Sequence, residues 1–569
     1  MNQVSNQENE LNRLRVLSIL IAVLLGFLLS WATRYSMTSD ALSYIDMADF
    51  FRKGDWEAAV RSSWCPLFPF LVGIGLYVLN PTPYWEFQTL HLINFLIYVG
   101  TIFAFDFFIW ELLKHQKKRE EELINKDFIV IPQWALLAVG YTIFIFCSIH
   151  LIGMWGPDPD MMFSAFLYLA SGLVLKIHRG CSNTVIFLFL GVVLGLGYLA
   201  KTPMFILAFV YLGLSFFYKD TFWKKLSKVF LAFLMFVIVS APYITTISNM
   251  KGYFTFGESG KLNYAWYIND ATPFVHWQGE GSKDIGKPIH PTRKIFDNPP
   301  VYEFSKPIKG TYPAFYDPTY WYEGIKARFD FFRQICAIAA SMNIYAKIFF
   351  EYLGVFLFAL FILYAMGFES NKSFLLKSIL DQWVLLLPSM IAFSIFALVH
   401  LEARYIAGSV VLFLIGLICS VSLKNSNETR KILEYVCVGI IAMVMTTTGS
   451  MTSKEVTLWQ KDGAEHTDWE IANSLHKLGV KEGDKVATIG YAIPYSAYWA
   501  RLARVQIISE ITPKDADKFW TSSESIKNDV INIIAKTGVK AIVTNKLPIC
   551  CSCDKWKKIE KSNSYVYLF

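Results

Sequence analysis

Charge is what this 569-residue chain has least of. Only 17% of its residues are Asp, Glu, Lys or Arg, where a soluble chain carries about a quarter. With 54% hydrophobic and 16% aromatic residues it is too apolar for a soluble multidomain chain, and the same composition excludes a disordered or collagen-like one. Nine cysteines are too few for a disulfide scaffold. The net charge of +7 (53 minus 46) would be modest even for a DNA-binding protein, so no nucleic-acid partner is expected. There is no internal repeat and no low-complexity run. What these absences leave is a polytopic membrane protein with sizeable water-exposed parts.

A transmembrane helix needs about 20 mostly apolar residues to cross a hydrocarbon core of about 30 Å. Such runs fall at 16–35, 88–113, 130–149, 162–178, 184–200, 203–218, 229–247, 346–367, 383–399, 409–424 and 432–450, which predicts about 11 TM helices. The first follows Arg13 and Arg15 and has no small-residue cleavage site, so it reads as a retained signal anchor. Five loops collect the basic residues: Lys114 to Lys126, Lys176 with Arg179, Lys219 to Lys228, Lys372 with Lys377, and Lys424 to Lys431. All five fall on the N-terminal side, which makes that side cytoplasmic. Pro66 to Leu79 is apolar too, but counting it as a span would invert every later loop, so it reads as a juxtamembrane helix on the outer face. The short pair at 184–200 and 203–218 forms either two spans or a re-entrant hairpin, and the orientation survives both. The expected location is the plasma (inner) membrane, multi-pass, with a cytoplasmic N-terminus and an extracytoplasmic C-terminus.

Three large pieces then lie outside: 36–87, 248–345 and the tail 451–569. The expected division is a transmembrane domain, 1–450, carrying the first two as loops, and a soluble domain, 451–569. In the tail the pattern alternates helix (468–478), strand (485–490), helix (495–503), strand (504–511), helix (514–536) and strand (540–545), with a final strand through Tyr565 to Phe569. That alternation predicts a small α/β domain with a largely parallel sheet. The sequons at Asn371 and Asn427 fall in cytoplasmic loops and say nothing about glycosylation.

The scarce polar groups at the outer membrane edge are the candidates for chemistry. After the first span the chain reads TSDALSYIDMADFFRKGDW, where Ser39 or Asp40 suits a helix N-cap, Tyr44 lies on the apolar face and Gly54 ends the helix. Asp40 is thus a cap residue or a functional carboxylate. In HLIGMWGPDPDMMF, Asp158 and Asp160 stand between two apolar helices: Asp160 caps the fourth span, or the pair holds a metal ion or orients a substrate. Lys201, in GLGYLAKTPMF, is a snorkelling lysine or an ammonium held near a lipid phosphate. HLEARYIAG brings His400, Glu402, Arg404 and Tyr405 to the same surface. Arg404 offers a planar fork suited to phosphate, while Glu402 pairs with it or binds metal. Loop 248–345 is rich in aromatics, Trp266 and Trp277 among them, which suit sugar rings and membrane seating alike. Cys550, Cys551 and Cys553 suggest a disulfide more than a metal site. Asp106, deep in the second span, reads as a structural polar contact. A transporter or flippase for lipid-linked glycans, the alternative function, would place several such groups near the midplane and show paired repeats.

Taken in order, SDALSYIDMADFFRKGDW, PLFPFLVGIGLYVLN, GPDPDMMFSAFLYLAS, GLGYLAKTPMF and EARYIAG resemble the GT-C superfamily of polyprenyl-phosphate-dependent glycosyltransferases. The nearest resemblance is to prokaryotic relatives of the protein O-mannosyltransferase and aminoarabinose transferase families. The tail and loop 248–345 depart from one subfamily's pattern. The resemblance implies a GT-C-like α-helical polytopic fold with a C-terminal extracytoplasmic α/β domain. It implies transfer, with inversion, of a sugar from a polyprenyl-phosphate donor to a hydroxyl of a lipid, glycan or protein acceptor. By position, Asp40 becomes the carboxylate that activates the acceptor hydroxyl and Asp160 the second catalytic carboxylate, with Lys201, Arg404 and Tyr405 as the donor-phosphate ligands. Asp158, Glu402 and His400 are candidates for metal or orienting groups; no cofactor is certain, a divalent cation (Mg or Mn) being an option, and Tyr44, Trp266 and Trp277 are candidates for the substrate loop. The cytoplasmic loops are too short to form a nucleotide-sugar domain.

Overall fold

A computed structural model describes residues 2–124, 128–271, 276–281, 284–304, 306, 308–462, 466–491, 496–546 and 555–569. All eleven apolar segments are helical over most of their length. Among the described residues seven helices are long and apolar enough to cross a membrane, and an eighth forms if Phe331–Tyr352 and Gly354–Gly367, bent by 79°, count as one span. The remaining three, Thr184–Ala200, Met204–Ser215 and Trp383–Ala397, have 17, 12 and 15 residues. At 1.5 Å per residue they reach about 26, 18 and 22 Å, short of a full hydrocarbon core. The chain is therefore a multi-pass α-helical membrane protein, with the expected spans divided between full-length and short helices.

Leu67–Leu79 has 13 residues, about 20 Å of helix, and lies against Ser39–Arg52 and against the first turns of the long helix Glu86–Ile124. Phe68, Val72 and Leu76 from the first bury with Ala41, Ile45 and Ala48 from the second. These two helices, parts of loop 248–345 and part of the tail share a single apolar core, separate from that of the long helices.

In the tail the expected elements form, with three differences. The helix expected over 514–536 breaks into Pro513–Thr521 and Glu524–Lys536, the second capped by the Ser523 hydroxyl. A short strand, Trp556–Lys558, was not anticipated. The sheet is also mixed rather than largely parallel. Its core, Gln506–Ile511, Lys485–Ile489 and Ala541–Thr544, is parallel, but antiparallel strands flank it on both sides. Two of those, Arg293–Asp297 and Pro300–Glu303, come from loop 248–345. The expected division at residue 450 thus cuts neither sheet nor core cleanly, and the helix Asn427–Asp462 runs straight through it. Cys550, Cys551 and Cys553 lie outside the described residues.

Buried charge ties the tail to the outer helices. Arg501, in the short helix Trp499–Leu502, donates to Asp46 at 3.0 Å and to Glu86 at 2.6 Å, with Asp49 at 2.7 Å. Asp46 also accepts from the backbone N–H and hydroxyl of Thr311 at 2.6 and 2.9 Å, so one carboxylate joins helix, loop and tail. Glu510 of the sheet accepts from Tyr312 at 2.8 Å and lies 2.6 Å from His276 Nε2. Removing a single partner from a buried network costs about 3–5 kcal/mol, because the remaining charges stay buried without compensation. Arg501→Ala is expected to lower the thermal unfolding midpoint of the detergent-purified protein and expose the tail to limited proteolysis. An unchanged midpoint and digestion pattern would contradict this account of the network.

Candidate active site

The site begins with a cap. The helix Ser39–Arg52 is capped by Thr38, whose hydroxyl accepts the Ala41 N–H at 3.0 Å, so neither Ser39 nor Asp40 has that task. Asp40, in the first helical turn, is left to accept from Arg404 Nη2 at 2.8 Å. Asp158 accepts the Asp160 N–H at 2.9 Å where the helix Asp160–His178 begins, and it accepts from Arg404 Nη1 at 2.8 Å. Glu402 takes the third edge of the same guanidinium, from Nε at 2.7 Å. The expected Glu402–Arg404 pair is real, but it is one of several contacts on a shared fork. Asp160, 1% exposed, keeps Oδ2 within 3.6 Å of Arg404 Nη1 and pairs through Oδ1 with Lys201.

Helix packing makes this convergence possible. Arg404 stands in the first turn of Ala403–Ser420, which lies against Asp160–His178. A Cβ on Gly408 would stand 2.7 Å from Ser164 Oγ and 3.1 Å from Ser164 Cα. Glycine therefore permits the close approach that puts Arg404 beside Asp158 and Asp160. Lys201 follows the helix Thr184–Ala200 in an extended conformation and lays its ammonium 3.9 Å from the Tyr405 ring centroid, a cation–π contact. Tyr405 donates to Glu402 at 3.2 Å, and His400 Nε2 lies 3.3 Å from the same Oε1 while its ring stacks on Tyr267 at 4.0 Å.

Four carboxylates here, Asp40, Asp158, Asp160 and Glu402, face two basic side chains, Arg404 and Lys201. Burial, then the adjacent Asp160 carboxylate, push Asp158 up to about 7 against the pull of Arg404 and Lys201. At Glu402 burial is outweighed by the His400 hydrogen bond and the Arg404 charge, which hold it below the usual carboxylate range. Among the described residues no group of three or more His, Cys, Asp or Glu is arranged to hold a metal ion. The carboxylates of the expected divalent-cation site close on Arg404 instead, and that donor set does not make a fitted cage for Mg or Mn.

Two cavities meet at these residues. The first, about 620 Å³, is lined by Asp40, Asp158, Trp266, His400, Glu402, Arg404 and Tyr405. The second, about 340 Å³, is lined by Tyr44, Asp160 and Lys201 together with apolar side chains such as Ile206, Ile395 and Phe396. Asp40, Arg404, Tyr405 and His400 line both. The expected site residues therefore come together, with Trp277 standing apart. It is 2% exposed, donates to the Glu280 carbonyl at 2.7 Å and stacks on Tyr322, lining neither cavity. Sequence reasoning missed Ser63, Trp64, Ser259 and Asn263, which line both cavities, and Tyr498 of the tail, which lines the first. The pair Ser63–Trp64, polar beside aromatic in an outer loop, was a usable signal; Tyr498 offered none. Asp106 is far from this cluster in kind, a structural contact that takes Arg15 and accepts from Tyr141 at 2.7 Å.

No protein-family model and no curated protein matches the chain. Solved structures do. ArnT from Cupriavidus metallidurans bound to undecaprenyl phosphate superposes with a TM-score of 0.54 at 10% identity, over 97% of each chain. The same protein in the apo state gives 0.50 at 11% identity, again over 97% of each chain. At such low identity the likeness shows the fold alone: the chain shares the ArnT fold over nearly its whole length.

The raised Asp158 predicts a pH dependence of stability. A carboxyl at about 7 in the folded chain, against about 3.9 unfolded, favours the folded state below the unfolded value and loses that contribution as pH rises to about 7. The melting midpoint of the wild type relative to Asp158→Asn, whose side chain is neutral throughout, is expected to fall between about pH 4 and pH 7. A difference that stays flat or rises across this window would contradict the assignment.

Proposed function

We propose that the chain is an inverting glycosyltransferase that moves a sugar from a polyprenyl-phosphate donor to an acceptor hydroxyl on the outer face of the plasma (inner) membrane. The observation that carries this reading is the meeting of an apolar cavity with a larger, more polar one at Asp40, Arg404 and Tyr405. The apolar cavity suits the first units of a lipid chain, and Lys201 and Arg404 at its polar end suit the phosphate. The ArnT structure with undecaprenyl phosphate supports a lipid phosphate as ligand for this architecture. The basic loops support a cytoplasmic N-terminus and an extracytoplasmic C-terminus, which puts the site outside.

On this reading the acceptor enters the larger cavity, and its hydroxyl proton passes to the Asp40 carboxylate as the oxygen attacks the anomeric carbon. The bond from that carbon to the phosphate oxygen breaks, its electron pair leaves with the phosphate, and the anomeric centre inverts. No enzyme nucleophile is required. Lys201 and Arg404 stabilise the departing charge, as positioned cations do for developing anions. Tyr405 flanks the phosphate and seats the Lys201 ammonium, while Asp160 aims Lys201 and Asp158 aims Arg404. Glu402 and His400 orient the guanidinium from its other edge, and Tyr44 and Trp266 shape the two cavities. The acceptor is a lipid, glycan or protein hydroxyl.

General-base catalysis contributes about 10²–10⁴-fold. Asp40→Asn is accordingly expected to reduce transfer from synthetic polyprenyl-phosphate sugars by about that factor while the protein stays folded. Lys201→Ala is expected to weaken donor binding. Product analysis by mass spectrometry, with melting curves as the folding control and chelator added in parallel, checks both. Full activity in folded Asp40→Asn would overturn the assignment.

A further inference from the structure

A smaller cavity of about 150 Å³ shares a wall with the main site. The stretch 61–64 turns Arg61 to this cavity and Ser63 and Trp64 to the large one; the stretch 313–321 turns Phe315 and Pro318 to the large one and Tyr316 and Asp317 to this one. Its rings are fixed by their polar ends. Trp321 Nε1 donates to the Pro313 carbonyl at 3.0 Å, Tyr316 donates to the Ala58 carbonyl, and Tyr320 stacks on His290 at 4.3 Å. Arg61 is 5% exposed, with Nη1 donating to the Glu57 and Val60 carbonyls at 2.9 and 2.7 Å and its guanidinium 5.0 Å from the Tyr316 centroid. Asp317 Oδ2 stands 3.5 Å from Arg61 Nε, which has no hydrogen-bond partner.

Arg61 and Asp317 offset one another. Lys309, also on the wall, makes no hydrogen bond or ion pair among the described residues, so the lining side chains carry one positive charge in excess, with Glu323 near Tyr320 held by His290 at 3.0 Å. Tyr320, the one ring of this wall that is not almost fully buried, offers a face beside the partly exposed Asp317 carboxylate, and that pairing suits a sugar ring. The surplus charge suits an anionic substituent on that ring. The volume, below the roughly 300–1,000 Å³ of drug-sized sites, limits the occupant to about one ring.

We infer that this cavity is a second saccharide subsite, taking one pyranose ring that bears a carboxylate or phosphate, and that it holds the acceptor glycan beside the reaction centre. The link to an acceptor rests on the transferase reading; the binding itself does not. Purified full-length protein titrated without donor, by calorimetry and saturation-transfer NMR, with glucuronic acid, galacturonic acid and glucose 6-phosphate tests the binding. At least one of the three is expected to bind roughly tenfold more tightly than glucose or inorganic phosphate. Lys309→Ala and Tyr320→Ala, with unchanged melting midpoints, are each expected to lose about that factor. Asp40→Asn, which stops turnover if the transferase reading holds, is expected to keep this binding, so the two readings fail separately. Acidic sugars binding no better than glucose would overturn the subsite. So would inorganic phosphate binding as well as they do, or binding undiminished in both folded variants.

Discussion

The whole polar cluster between the two cavities depends on one guanidinium being shared. Arg404 donates to Asp40, Asp158 and Glu402, three carboxylates that arrive from three separate stretches of chain. A fork with five donors can satisfy that many partners in one plane, and a lysine cannot. The carboxylates would otherwise repel one another at the border of a low-dielectric region, where isolated charge is most costly. Arg404 therefore holds apart the same groups it draws together. The sharing has a chemical consequence as well as a structural one. A guanidinium surrounded by carboxylates is partly neutralised, and the upward displacement of Asp158 reduces that neutralisation to the extent that this carboxyl holds its proton. The positive charge left facing the cavities is then set by the state of Asp158.

A second constraint, the Arg501 network, works on the same helix from its other side. Ser39–Arg52 carries Asp40 in its first turn, while Asp46 and Asp49 meet Arg501 of the tail. The helix that presents Asp40 is therefore pinned at both ends by guanidinium groups, one from a membrane helix and one from the tail. Loop 248–345 completes the clamp through Thr311 on Asp46 and through two strands added to the tail's sheet. The tail is in this sense part of the site's scaffold, and its Tyr498 reaches the wall of the large cavity.

The local features were legible in the sequence because each follows from a local rule. Apolar runs gave the helices, and the scarcity of charge at the outer edge pointed to Asp40, Asp158, Asp160, Lys201, Glu402 and Arg404, which do converge. What could not be read was which of two local roles a residue takes. Asp40 looked like a cap because Asp is a good one, yet Thr38 stands two residues earlier with a hydroxyl that does the same work. Trp277 looked like a sugar platform because indoles are, but its N–H found the Glu280 carbonyl and its ring found Tyr322. Long-range pairing was equally hidden. Pro300–Glu303 joins a strand about two hundred residues away and carries Arg293–Asp297 with it as a hairpin, and no local pattern records a partner at that separation.

The placement of charge also explains why the membrane half tolerates so polar a cluster. Asp106, inside a span, is neutralised by Arg15 and Tyr141, so nothing there remains to drive chemistry. At the cavities the balance is left incomplete: four carboxylates meet two basic side chains, Arg404 and Lys201, and both face open volume. A closed ion pair stabilises; an open one recruits. The difference lies in the cavities, because a charged ligand entering them finds groups whose partners are already oriented and whose desolvation has been met by the fold. The scarcity of charge elsewhere in the chain keeps that imbalance local.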